Sequence, residues 1–181
     1  MIRESDRLNN FVEDFLQFAR PGKYALGSVD LVSSLRDSVT LLRNNPEVRR
    51  KHTVTLNLEA DQIRILGNPD QIQQVFWNLA QNALRAMPGG GPLTITARRT
   101  GSGGGEIVFK DVGIGMTPEE KEQLFQPFCS GFGGGTGLGL SILFQIIEDH
   151  RGKISIDSEK GLGTTVVLCF PPEVETDTDL L

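Results

Sequence analysis

Asn78-Leu79-Ala80-Gln81-Asn82-Ala83-Leu84-Arg85-Ala86 is the stretch from which the rest of the chain can be read. It closes a longer run, 70–87, in which Ile72, Val75, Phe76, Leu79, Ala83 and Met87 recur at helical spacing. Asn78 and Asn82 stand four apart and share one helical face, and Arg85 joins that face. Two amide oxygens suit a hard cation, and a guanidinium fork suits phosphate. Taken alone, the same face also fits a polar helix surface in solvent.

Two segments further on extend this reading. Asp111-Val112-Gly113-Ile114-Gly115-Met116 follows an expected strand, Ile107 to Asp111. An acid at a strand end can accept a hydrogen bond from an exocyclic amine, and spaced glycines let backbone pass close to a flat ligand. By itself the pattern is also a common turn. Residues 131–139 hold six glycines in nine positions and lead into an expected helix, Ser141 to His150. Amides at a helix N-terminus form an anion site. No Lys-Ser/Thr follows at Walker A spacing and G-x-G-x-x-G is absent, so neither a P-loop nor a Rossmann fingerprint is present. A glycine-rich linker remains the alternative for this piece alone.

Around these segments the pattern predicts a helix over 30–45, strands over 53–58 and 63–66, and a turn with helix start at Gly67 to Asp70. Strands follow over 93–97 and 107–111, then a helix from Thr117 with Pro118 at its first position. Residues 154–156 and 165–168 read as closing strands. Near the N-terminus, Leu8, Val12, Phe15 and Ala19 form an a/d-like stripe that Pro21-Gly22 ends. A short helix this apolar needs a second helix or a second copy of the chain.

The chain has 181 residues, room for one domain with an appendage. Lys+Arg 18 against Asp+Glu 23 gives a net charge of -5, which disfavours nucleic-acid binding. Glycine, 21 of 181, stands at about 12% against a usual ~7%. Cys129 and Cys169 are too few for a disulfide scaffold and lack metal-type spacing. Two free thiols fit a reducing, cytoplasmic compartment. No apolar run approaches a membrane span, although the chain could be cut from a membrane protein.

The three segments in this order resemble the ATP-binding catalytic domain of sensor histidine kinases, within the Bergerat-fold superfamily of gyrase, mismatch-repair ATPases and a heat-shock chaperone. Asn78 to Asn82 looks like the family's N box, and Asp111-x-Gly113-x-Gly115 like its G1 box. Phe125-Gln126-Pro127-Phe128 looks like the F box, and Gly135-Thr136-Gly137-Leu138-Gly139-Leu140 like the G2 box. Gly161-Leu162-Gly163-Thr164-Thr165 resembles the closing strand motif. The resemblance implies an α+β fold, a two-layer sandwich whose mixed sheet is covered on one face by helices and preceded by one N-terminal helix. It implies that 28–171 form the ATP-binding domain and that 1–21 end the second dimerisation helix. The acidic stretch 172–181 is expected to be a disordered tail.

The resemblance also implies roles. Asn82, helped by Asn78, would hold Mg²⁺, and Arg85 would face the phosphates. Asp111 would receive the adenine amino group, beside Gly113, with Gly115 and Met116 at the base and Thr164 near it through water. Gly135, Thr136, Gly137, Leu138, Gly139 and Leu140 would form the ATP lid, anchored by Phe125 and Phe128. Hydrolytic relatives place a Glu base where Asn78 stands, and an amide cannot take a proton from water. The family's phosphoacceptor motif is absent, and His52 and His150 both read as surface histidines. The expected activity is therefore transfer of the ATP γ-phosphate to a histidine on a dimerisation domain, and onward to a response regulator aspartate, with a homodimeric parent. A non-catalytic nucleotide-binding or partner-docking module is the alternative. The lid stretch Cys129 to Gly134 carries no Lys or Arg, which leaves phosphate charge to Mg²⁺, Arg85 and backbone amides.

Overall fold

The computed structural model describes residues 25–122, Leu124 and residues 139–173. The expected helix over 4–20, the lid residues Phe125, Phe128, Gly135, Thr136, Gly137 and Leu138, Cys129 and the tail from 174 onward lie outside the described residues.

Strand β1 (Gly27–Asp30) leads into helix α1 (Leu31–Asn44). Asp30 caps that helix, its carboxylate accepting from Val32 N–H and from Ile63 N–H. Helix α2 (Pro46–Lys51) follows at once, capped by Asn45 with Pro46 in its first turn. Then come β2 (His52–Leu58), β3 (Arg64–Gly67) and the long helix α3 (Pro69–Ala86), whose N-cap Asn68 accepts from Gln71 N–H. Strands β4 (Gly91–Arg99) and β5 (Gly105–Asp111) form a hairpin. Short helix α4 (Pro118–Glu122), helix α5 (Gly139–Asp149) and the β6 (Lys153–Glu159)–β7 (Gly163–Phe170) hairpin complete the described chain.

The main sheet has the order β2-β4-β5-β7-β6, with β2 and β4 parallel and every other pair antiparallel. Strands β1 and β3 form a separate antiparallel pair. Period-two alternation turns Leu93, Ile95, Ile107, Phe109, Leu168 and Phe170 toward one buried side. There they join one core with Leu35, Leu42, Ile72, Val75, Phe76, Leu143 and Ile147 of α1, α3 and α5. This is the expected two-layer sandwich. Phe76 of α3 is fully buried and meets Phe109 of β5 with ring centroids 6.1 Å apart. That contact pins the helix carrying Asn78 and Asn82 to the strand carrying Asp111.

Five features depart from the sequence reading. β1 and α2 were not anticipated. α5 starts at Gly139, before the expected Ser141, because the last glycine of the loop already takes helical geometry. His150 is no surface residue: it is 2% exposed. Its Nε2 accepts from Asn68 N–H at 2.9 Å and its Nδ1 donates to Ile146 O at 2.6 Å, which fixes the tautomer. Finally, Glu173 belongs to the fold, since its N–H donates to Arg64 O and its carboxylate accepts from Ser28 Oγ.

Candidate functional site

The strand period places the acid. Ile107, Phe109 and Asp111 alternate onto the helix-facing side of β5, so the last of them brings a carboxylate to the edge of the core. Asp111 is 6% exposed, and two backbone N–H groups, of Gly113 at 2.8 Å and Thr164 at 3.2 Å, donate to the same oxygen, Oδ1. Burial pushes this carboxyl above the usual aspartate range, against the opposing pull of the Gly113 and Thr164 bonds.

The loop after Asp111 is stitched to both of its neighbours. Ile114 N–H donates to Ala86 O at the end of α3, filling one of the carbonyls a helix C-terminus leaves open. On the other side Gly161 N–H donates to Ile114 O, and Met116 N–H donates to Ser158 Oγ. The glycines answer to these contacts. A Cβ at Gly113 would lie 2.6 Å from Ala86 O, and one at Gly115, where φ is +56, would lie 1.9 Å from Glu159 O. Close backbone packing demands glycine at both positions, a different reason from the approach to a flat ligand argued from sequence.

Asn78 and Asn82 lie half-buried on α3, and Arg85 is exposed in its last turn. None of the three side chains makes a hydrogen bond among the described residues. Met116 is buried, Thr164 is half-buried at the start of β7, and Gly139 and Leu140 open α5. The structure thus brings Asp111, Gly113, Gly115, Met116 and Thr164 together, and joins their loop to the helix of Asn78, Asn82 and Arg85. Among the described residues no group of three or more His, Cys, Asp or Glu could hold a metal. A cation here would rely on the two amide oxygens together with oxygens from a ligand or water, which fits a hard ion carried in with phosphate.

Sequence reasoning missed Ser158. It is 6% exposed and bonds to Met116 N, to Gly163 O at 3.0 Å and to Thr164 Oγ1 at 2.9 Å. A signal was present: Ile154, Ile156 and Ser158 share one side of β6, which puts a hydroxyl at a core-facing position. Thr117 and Glu120 form a capping box at α4, which Lys160 reinforces with a 3.0 Å ion pair to Glu120. The Thr117 N–H and Lys160 bonds hold the Glu120 carboxyl below the usual glutamate range.

Residues 67–174, more than half the chain, match the family described as histidine kinase-, DNA gyrase B-, and HSP90-like ATPase. The chain belongs to this family. Among histidine kinase-like proteins it is similar to the sensor histidine kinase ZraS of Klebsiella oxytoca, 34% identical over 94% of this chain and 37% of that one. Among solved structures it is similar to full-length ShkA in complex with AMPPNP, with 28% identity and a TM-score of 0.81 over 95% of this chain and 37% of that one. It is also similar to histidine kinase ThkA in complex with the response regulator protein TrrA, with 25% identity and a TM-score of 0.77 over 97% of this chain and 50% of that one. The chain carries a catalytic ATPase domain of the sensor histidine kinase type. It spans well under half the length of the curated relatives it matches.

Proposed function

We propose that this chain binds Mg–ATP and presents the γ-phosphate to a histidine on a dimerisation domain, for onward transfer to a response regulator aspartate. The imidazole nitrogen attacks the γ-phosphorus, the bond to the bridging oxygen breaks, and ADP leaves. The observation that carries this reading is the stitching of the Asp111 loop to the end of the Asn78–Asn82 helix through Ile114 N–H and Ala86 O. One rigid unit then holds a base acceptor and a cation–phosphate face.

In this reading Asp111 accepts from the adenine amino group, with Gly113, Gly115, Met116 and Thr164 around the base. Asn82 and Asn78 hold Mg²⁺, and Arg85 faces the phosphates. Mg²⁺, when bound, neutralises charge that develops on the transferring group. The chain's own residues orient the nucleotide and do not build a nucleophile. Residues 135–140 belong to the lid, which Phe125 and Phe128 anchor, residues 1–21 end the second dimerisation helix, and residues 28–171 form the ATP-binding domain. The parent is a homodimer whose kinase domain works in the cytoplasm.

The ring of His150 supports transfer to a histidine outside this chain, because both its nitrogens are engaged in bonds to Ile146 and Asn68. The test uses γ-labelled ATP. The chain with Mg–ATP should bind nucleotide, hydrolyse it negligibly and remain unlabelled. Adding a histidine-bearing dimerisation domain should label that domain, with the acid-labile, base-stable signature of a phosphoramidate. Self-labelling lost in His52→Ala or His150→Ala would overturn the reading, as would ATP bound but never consumed with the domain present.

A further inference from the structure

Counting protons at Ser158 decides which way the Thr164 hydroxyl points. A serine hydroxyl has one proton to donate and two lone pairs. Gly163 O can only accept, so at 3.0 Å it takes the Ser158 proton. Met116 N–H can only donate, and at 3.0 Å it takes one lone pair. The remaining contact, 2.9 Å to Thr164 Oγ1, is satisfied only if Thr164 donates to Ser158. The Thr164 proton is therefore turned inward, and its oxygen shows only lone pairs to the site. Beside it, Asp111 has Oδ1 occupied by two N–H donors, one of them Thr164's own. Asp111 and Thr164 together form a wall of acceptors.

We infer that Ser158 is a positioning residue that sets base selectivity: by fixing Thr164 as an acceptor, it makes the Asp111–Thr164 pair select a primary amine over a carbonyl or a bare ring carbon. A primary amine has two N–H groups for two acceptors, reached directly or through one water. A carbonyl at that place meets only lone pairs. Without the Ser158 hydroxyl, Thr164 is free to rotate and to donate into the site or to Asp111, and the discrimination weakens. The inference rests on the adenine subsite of the proposed function.

Calorimetric titration of the 181-residue chain tests it with two nucleotides, ATP and purine riboside triphosphate, which lacks the 6-amino group. Ser158→Ala should lower ATP affinity about three- to tenfold, the loss of one neutral hydrogen bond. Affinity for purine riboside triphosphate should stay within about twofold, and Ser158→Ala should add nothing in a Thr164→Val background. A merely structural role would weaken both nucleotides alike, or add to Thr164→Val, and either result overturns the inference. Asp111→Asn in the same series separates the two claims. If it leaves the preference for ATP intact, the adenine subsite itself falls, and the inference with it. If it removes the preference while Ser158→Ala keeps it, only the role of Ser158 falls. Should Ser158→Ala fail to fold by circular dichroism, Thr164→Val carries the test alone, because it leaves Ser158 bonded to Met116 and Gly163. It must reduce the ATP preference by the same factor, and an undiminished preference overturns the inference.

Discussion

Asp111 and Asn82 stand at the two ends of the candidate site and are held in opposite ways. Asp111 is buried, and its loop is tied by backbone bonds to α3 on one side and to the β6–β7 hairpin on the other. Asn82 is half-buried on a helix face and its side chain has no hydrogen bond among the described residues. The end proposed for the base is preorganised by the fold. The end proposed for cation and phosphate offers polar side chains with no hydrogen bond among the described residues. Mutations at the first should disturb fold and binding together unless they keep its bonds, and mutations at the second should separate the two.

The largest effect belongs to the backbone of the base end. Gly115→Ala places a Cβ against Glu159 O at a left-handed φ, where nothing nearby is a flexible side chain. We expect about 3–5 kcal/mol of lost stability, read by denaturant unfolding. A shift below 1 kcal/mol, on the order of a surface change, would mean that the loop is free to move and that the two ends are alike.

Asp111→Asn comes next, because the amide oxygen still accepts from Gly113 and Thr164 while the charge is gone. ATP affinity should fall by about 1.5–3 kcal/mol, the range for a hydrogen bond to a charged group. Stability should move with pH in a defined sense. The Asp111 carboxyl is raised by burial above the ordinary 3.8, so the folded state holds its proton more tightly than the unfolded chain. The stability it contributes is present below the unfolded value and lost as pH rises through the folded one. Thermal melts should therefore show wild type losing ground to Asp111→Asn as pH rises through that window. A constant difference across it contradicts the assignment.

The smallest expected shift in stability is that of Asn82→Ala, within about 0.5 kcal/mol. Its effect should appear instead in binding: the enhancement of ATP affinity by Mg²⁺ over EDTA should vanish. Trp77, the chain's one tryptophan and a neighbour of Asn78 in sequence, gives a fluorescence readout for that titration. An enhancement as large in the variant as in wild type removes the metal from Asn82.

The same contrast explains what the sequence disclosed. Long periodic elements such as α3, and the alternation of β4, β5 and β7, were legible because burial imposes their period. β1 was not, since Val29 is its one buried residue and its pairing with β3 is set by distant chain. α2 was missed because six residues with only Val48 buried show no period, although Asn45-Pro46 is a cap signal. At the candidate site, residue types suited to ligands stood out in the sequence: Asn78, Asn82 and Asp111. Ser158 did not, because its part depends on three partners that meet only in the fold. His150 was misread for the same reason: a polar residue at a helix end looks exposed until its neighbours are known.

Ser28 and Glu173 are joined at 3.0 Å although 145 positions separate them. The path enters and leaves the domain at one doorstep. Such a module can be spliced into a host protein as a closed bead, because a short bridge suffices where the two ends meet.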